Sequence, residues 1–161
     1  MMQTDSLSDQ DRELIEAAKD VVRRQYVPDW NSVGAALRTA GGTIHAAIHL
    51  DADVGRVAVC AEAIALGMAV SAGEREIACV VAVIPDGDDG WAILPPCGMC
   101  REMLSDYAPD AEVIVPGGTG DTRGTGGATK RRVSELLPEK WTRAARYPPR
   151  DHPDSVGRSG R

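Results

Sequence analysis

Three of the chain's four cysteines stand in two short segments, "AVCAEAIALG" around Cys60 and "LPPCGMCREML" around Cys97 and Cys100. No other feature limits the possible folds as much. Cys60 to Ser71 is apolar nearly all round and predicts a buried helix. Gly98 to Tyr107 predicts another, with Met99, Met103, Leu104 and Tyr107 on one side. Cys60 and Cys97 each stand where a helix begins. There the unpaired N–H groups and the positive dipole end favour a thiolate over a thiol. If three thiolates share one ion, the two helices must meet at their N-termini on one face of a sheet. The C-x-x-C at Cys97 and Cys100 points to metal or redox chemistry rather than to a disulfide. Cys79, in "IACVVAVI", reads as a small buried apolar residue.

The rest of the chain supplies that sheet. Ser8 to Tyr26 predicts an amphipathic helix with Leu14, Ile15, Ala18, Val21 and Val22 on one stripe, opened by a Ser8–Asp11 capping box. "VPDWN" ends it. Ser32 to Thr39 and Thr43 to Leu50 predict two strands joined by "AGG". In the second strand Ile44, Ala46, Ile48 and Leu50 share one face. His45, Ala47, His49 and Asp51 share the other, which predicts contact with solvent or with a site. "EIACVVAVI" predicts a strand covered on both faces. "PDGDDG" then reads as a turn, "WAIL" as a short strand and "AEVIVP" as another. Helices interleaved with strands give an α/β fold, a three-layer α/β/α sandwich around a mixed five-stranded sheet. The Gly- and Thr-rich stretch 116–132 lacks the Gly-Lys-Ser/Thr ending of a phosphate loop and predicts a mobile surface loop. "SELLPEKW" offers a last short helix. One domain over 1–141 and a flexible tail over 142–161 complete the expected organisation.

The 161 residues carry a net charge of −6, which disfavours a polyanion partner. Lys130 to Arg132, with Arg143 and Arg146, could form a local basic patch, but a solvated surface is the simpler reading. No apolar run approaches a membrane span, and the acidic N-terminus lacks a secretory pattern. A cytoplasmic protein that binds neither membrane nor nucleic acid is expected.

Thiolates favour zinc among the common ions. Three protein ligands leave one position for water, the pattern of a catalytic zinc, unless His45 or His49 closes the site. Glu62, two residues past Cys60, lies on the first turn of a buried helix. Burial beside a metal raises a carboxyl pKa. A zinc-activated water gives it a use, as a proton shuttle. A non-catalytic zinc-stabilised module is the reading from another class, and such a site has no need of Glu62.

"CAEAIALG" with "PPCGMCREML" resembles the cytidine deaminase family, in its three-cysteine, free-nucleoside branch, and is also close to blasticidin S deaminase. C-x-E followed by P-C-x-x-C marks the zinc nucleobase deaminases. "VGAAL" (Val33 to Leu37) and "ELLP" (Glu135 to Pro138) extend the likeness. The resemblance implies hydrolytic deamination of a cytosine nucleoside or an analogue, such as a nucleoside antibiotic, in a homotetramer or homodimer. Cys60, Cys97 and Cys100 would hold zinc, and Glu62 would protonate N3 and then the departing ammonia. The Ala61 amide would meet the base O2, and the Pro95 carbonyl the exocyclic amine. The family's ribose-gripping Asn-x-Glu falls on His49 and Asp51. The chain has no Phe, so Trp30 and Trp141 are the candidates for the family's aromatic contacts. Arg56 and Arg101 are the candidates for offsetting the charge of three thiolates. Nucleic-acid editing is disfavoured by the net charge and by Cys60 where the editors have His.

Overall fold

The computed structural model describes residues 7–88, 90–117 and 127–142. The elements run α1 (Asp9–Gln25), β1 (Gly34–Thr39), β2 (Ile44–Ile48), α2 (Ala61–Ser71), β3 (Ile77–Asp86), β4 (Gly90–Leu94), α3 (Gly98–Tyr107), β5 (Glu112–Pro116), β6 (Ala128–Arg132) and α4 (Val133–Leu136). A single 3-10 turn, Gly55–Val57, lies between β2 and α2. The strands form one sheet in the order β2-β1-β3-β5-β6, with β4 also paired to β3. Among the described strands only β3 and β5 run parallel. That pairing needs a crossover, and α3 provides it.

The predicted three layers are present. On one face of the sheet, Leu14, Ala18 and Val22 of α1 pack against Ala36, Val81, Val83 and Ile114. On the other, Ala65, Leu66, Ala69 and Leu104 of α2 and α3 pack against Leu37, Val80, Val113 and Val115. Full burial of a side chain such as Leu14 or Leu104 is worth about 2 kcal/mol. Helix α1 crosses β1 so closely that a Cβ at Gly34 would run into the Ala18 carbonyl and the Val22 side chain. The β1–β2 turn places Gly42 at φ 92, a conformation that glycine adopts without a steric cost.

Among the described residues the sheet has six strands, where the sequence predicts five. The addition is β6, inside the stretch 116–132 expected to be a mobile loop. Residues 118–126 lie outside the described residues, but Ala128–Arg132 pairs antiparallel with β5. "ATKRR" carries no apolar alternation because it is an edge strand stabilised by pairing and by charge. Lys130 Nζ lies 2.8 Å from Glu112 and 3.4 Å from Asp11. The "KRR" run therefore serves this network in part, as well as a solvated surface. Strand β3 extends through Pro85 and Asp86, so the turn expected from "PDGDDG" starts later. The last helix is one turn, Val133–Leu136. Of the predicted α3 stripe, Leu104 is buried, whereas Met99 and Tyr107 are exposed. The tail beyond Thr142 lies outside the described residues.

Asp11 anchors α1. It is fully buried and completes the capping box with Ser8. Its carboxylate faces Arg38 on β1 and Lys130 on β6, each at 3.4 Å. Burial pushes its pKa up, but the Ser8 hydrogen bonds and the two cations outweigh burial and hold it below the usual value. Asp11→Ala should cost about 3 kcal/mol in urea unfolding, because the two cations lose their buried partner. The sign of the pH effect follows from the lowered folded pKa. The contribution is complete above the unfolded-state value and is lost as pH falls through the folded one. The variant's stability should therefore depend less on pH below roughly pH 5 than the wild type's. An unchanged urea midpoint would remove Asp11 from the load.

Candidate active site

The N-termini of α2 and α3 meet, as the two cysteine segments require. Cys60 is the N-cap residue of α2 and Cys97 that of α3, while Cys100 lies on the first turn of α3. The Cys60 and Cys97 sulfurs are 3.4 Å apart. All three sulfurs lie within 4.8 Å of one another, and among the described residues no other group of His, Cys, Asp or Glu is arranged to hold a metal. Zinc–sulfur bonds of about 2.3 Å at tetrahedral angles place sulfurs roughly 3.8 Å apart, so the donors fit one zinc ion.

The electrostatics favour a cation here. Burial pushes the Cys60 thiol up to about 11, with help from the neighbouring Cys97. Burial also raises Cys100, and the proximity of Glu62 and the other thiols adds to it. Burial acts on Cys97 as well, but hydrogen bonds from the Cys100 amide and the adjacent thiols outweigh it and bring the group below its usual value. Cys60 and Cys100 resist becoming anions, whereas Cys97 ionises more readily. A divalent ion reverses that balance by favouring all three thiolates together.

Glu62 is 6% exposed. Burial raises its pKa, opposed by a hydrogen bond from its own amide and by the Cys100 thiol. It stands beside the three sulfurs without joining their cluster. This is a position for a proton carrier rather than a ligand.

Cys60, Cys97 and Glu62 line a cavity of about 400 Å³, within the size range of small-molecule sites. Its apolar walls are Val33, Ala58, Val59, Ala82, Leu94 and Met99, and its polar side comprises Cys60, Glu62, Cys97 and His49. Ala61 and Pro95 line it as well. Small residues make the space: Ala35, Ala61 and Ala82 pack together beneath it.

The structure divides the residues singled out in the sequence. Cys60, Glu62, Cys97, Cys100, Ala61, Pro95 and His49 come together. Asp51 is exposed and outside the lining, with its Oδ1 accepting from the Ala52 amide at 2.8 Å. Trp30 and Trp141 are 43% and 60% exposed and do not line the cavity. Trp30 sits in the turn after α1, and Trp141 follows α4 on the outer side of α3, where Lys140 bonds Ser105 and Asp106. Among the described residues no aromatic side chain lines the cavity, so aliphatic walls take that place.

The polar face of β2 turns toward α2 rather than toward solvent. Ala47 is buried there, His45 Nε2 lies 3.5 Å from Glu74, and His49 reaches the cavity. Neither histidine joins the three cysteines, so the described residues offer three ligands and leave a fourth position open. Arg56 is exposed in the 3-10 turn. Arg101 donates from Nε to the Pro96 carbonyl (2.8 Å) and from Nη1 to the Leu136 carbonyl (3.1 Å). It thus ties the loop before Cys97 to the end of α4. Nothing in the sequence marks that clasp or Val59 as a wall residue, whereas Val33 and Leu94 stand in the quoted segments "VGAAL" and "LPPCGMCREML".

Residues 8–115 match the family model described as the cytidine and deoxycytidylate deaminase zinc-binding region. The chain is 42% identical over 146 residues to the blasticidin-S deaminase of Bacillus cereus, covering 88% of this chain and 99% of that protein. It is 32% identical over 131 residues to a cytidine deaminase of Halalkalibacterium halodurans, covering 80% and 92%. Among solved structures, the cytidine deaminase of Burkholderia pseudomallei superposes with a TM-score of 0.67 at 29% identity, covering 84% of this chain and all of that one.

Proposed function

Because this chain belongs to the cytidine and deoxycytidylate deaminase family of zinc-dependent aminohydrolases, we propose that it replaces the amino group of a cytosine nucleoside, or of an antibiotic analogue of one, with oxygen. The observation that carries this reading is the buried Glu62 beside three converging cysteines at the cavity. Cys60, Cys97 and Cys100 would hold the zinc. When bound, zinc supplies a Lewis acid that makes water nucleophilic at neutral pH.

The chain's own groups do the rest. Glu62 takes the proton of the attacking water, passes it to ring N3, and then carries a proton to the departing ammonia. The Ala61 amide is in the first turn of α2 and has no partner within the helix, so it is free to donate to the base O2. The Pro95 carbonyl accepts from the exocyclic amine, and proline keeps that acceptor while lacking an N–H. The cavity's aliphatic walls exclude water around the ring.

A specific observation favours the antibiotic over the free nucleoside. The 42% identity to a blasticidin-S deaminase spans nearly all of that protein, while the cytidine deaminase similarity stands at 32%. The lining is also consistent with a reshaped sugar site, since Asp51 lies outside it. Blasticidin S should thus be hydrolysed with a higher kcat/KM than cytidine, deoxycytidine or free cytosine, as read by ultraviolet difference spectra. A preference for cytidine would assign the protein to nucleoside salvage. No turnover of any of the four by the zinc-loaded protein would shift the reading to a zinc-stabilised binding module.

The active form we propose is a homotetramer or homodimer. Leu50, Val54, Val57 and Met99 expose more than two-fifths of their surface close to the cavity and the 3-10 turn, which suits coverage by another copy. Free thiols at the site suit a reducing compartment such as the cytoplasm.

A further inference from the structure

Arg101 holds the segment that carries Pro95 and Cys97. Strand β4 ends at Leu94 and α3 starts at Gly98. Between them, Pro95 and Pro96 have no N–H, so neither can be fixed by a backbone donor of its own. The segment is fixed through its carbonyls instead. The Arg101 amide donates to the Cys97 carbonyl (2.9 Å), and Arg101 Nε donates to the carbonyl of the buried Pro96 (2.8 Å). The peptide is planar and the proline ring locks φ, so only ψ of Pro96 turns this carbonyl against that of Pro95.

The other end of the guanidinium is anchored away from the cavity. Nη1 donates to the Leu136 carbonyl (3.1 Å) at the end of α4. A carbonyl in the last turn has no partner within its helix. Helix α4 is itself fixed, with Val133 1% exposed and its amide bonded to the Ala111 carbonyl at 3.0 Å. Leu136 packs on the same core as α2 and α3. Two different nitrogens of one planar group therefore brace the cysteine segment against the core. A lysine ammonium keeps the charge but is a flexible point donor without that fork.

We infer that Arg101 is a positioning residue for the deamination. It sets Cys97 among the metal donors and aims the Pro95 carbonyl at the exocyclic amine, by its geometry and not by its charge. The roles of Cys97 and Pro95 rest on the deaminase reading of the same site.

Three measurements on the full chain test it. In the zinc-loaded wild type, the nitrogen-15 signal of the Arg101 Nε–H should show slowed exchange with water. Free exchange overturns the brace, whether or not any variant folds. Arg101→Lys and Arg101→Gln should each weaken zinc binding about 10–100-fold in chelator competition, the loss expected when a group that orients a metal ligand is removed. Their cobalt-substituted forms should show shifted or broadened visible bands, because those bands report the geometry of the thiolates around the ion. Wild-type affinity and bands in both variants, with only a lowered melting temperature, would make Arg101 a structural tie and overturn the inference. Recovery of both by Lys but not by Gln would return the role to charge and overturn it equally. At saturating zinc, kcat should stay lowered at least about tenfold in both variants, as it does when a positioned group is displaced. Full recovery of kcat there would overturn the role at Pro95. If blasticidin S, cytidine, deoxycytidine and cytosine all go unhydrolysed by the wild type, the deaminase reading fails, and the cobalt bands decide whether Arg101 positions Cys97.

Discussion

Glu62→Gln should bind about one zinc per chain and lose turnover by roughly a thousandfold or more. The amide matches the carboxylate in size, so the first turn of α2 and its packing against Cys100 survive. Zinc stays because Glu62 is not among the clustered ligands. What disappears is a group able to take a proton from water and return it to the ring. Burial already raises the Glu62 pKa, so the carboxylate is held at a cost to the fold. A raised folded pKa means that stability falls as pH climbs through the window above the ordinary carboxyl value. In metal-free protein, Glu62→Gln should melt no lower than the wild type and lose part of that pH dependence. Zinc content by mass spectrometry, turnover at saturating substrate and thermal melting separate these effects. A rate within tenfold of the wild type would place the proton transfer on another group.

The second large effect is expected at Cys100. Cys100→Ser replaces a buried sulfur on the first turn of α3 with a weaker, smaller donor. Loss of groups that merely orient metal ligands costs 10–100-fold in affinity, so loss of a ligand should exceed about 100-fold. Competition with a chelator would read this directly, and activity should fall below detection at limiting zinc. The fold should also loosen, because an ion shared by the three cysteines would join the N-termini of α2 and α3, and its binding energy would be part of folding. Full zinc retention at one per chain, with normal competition, would mean that Cys100 is only a buried apolar residue.

How much of this was legible in the sequence differs from residue to residue. Helix α1 was readable because its apolar stripe and the Ser8–Asp11 box are local patterns, and the structure places both as expected. Strand β6 was not, because "ATKRR" has no apolar alternation. Its reason to be extended is β5 beside it and Asp11 and Glu112 within reach of Lys130. His49 and Asp51 looked equivalent on paper, two residues apart on one face of a strand. Strand β2 ends at Ile48, and Leu50 then bridges to Val59. The His49 ring is held in by Val33, while Asp51 bonds the Ala52 amide and stays in solvent. Trp30 and Trp141 were chosen as aromatics near the right segments, but nearness along a chain sets no direction for a side chain.

The sequence by itself determined which candidate groups stand at the helix starts. Three thiols and a carboxyl at fixed offsets are set by residue type and by helix geometry, both local. Only the tertiary structure decided the rest: that His45 and His49 stay out of the cluster, that Arg101 bonds carbonyls instead of facing thiolates, and that the cavity has aliphatic walls. Each of these depends on segments far apart in the chain converging on one sheet. That convergence is governed by packing and by the pairing of buried polar groups, which no spacing of letters encodes.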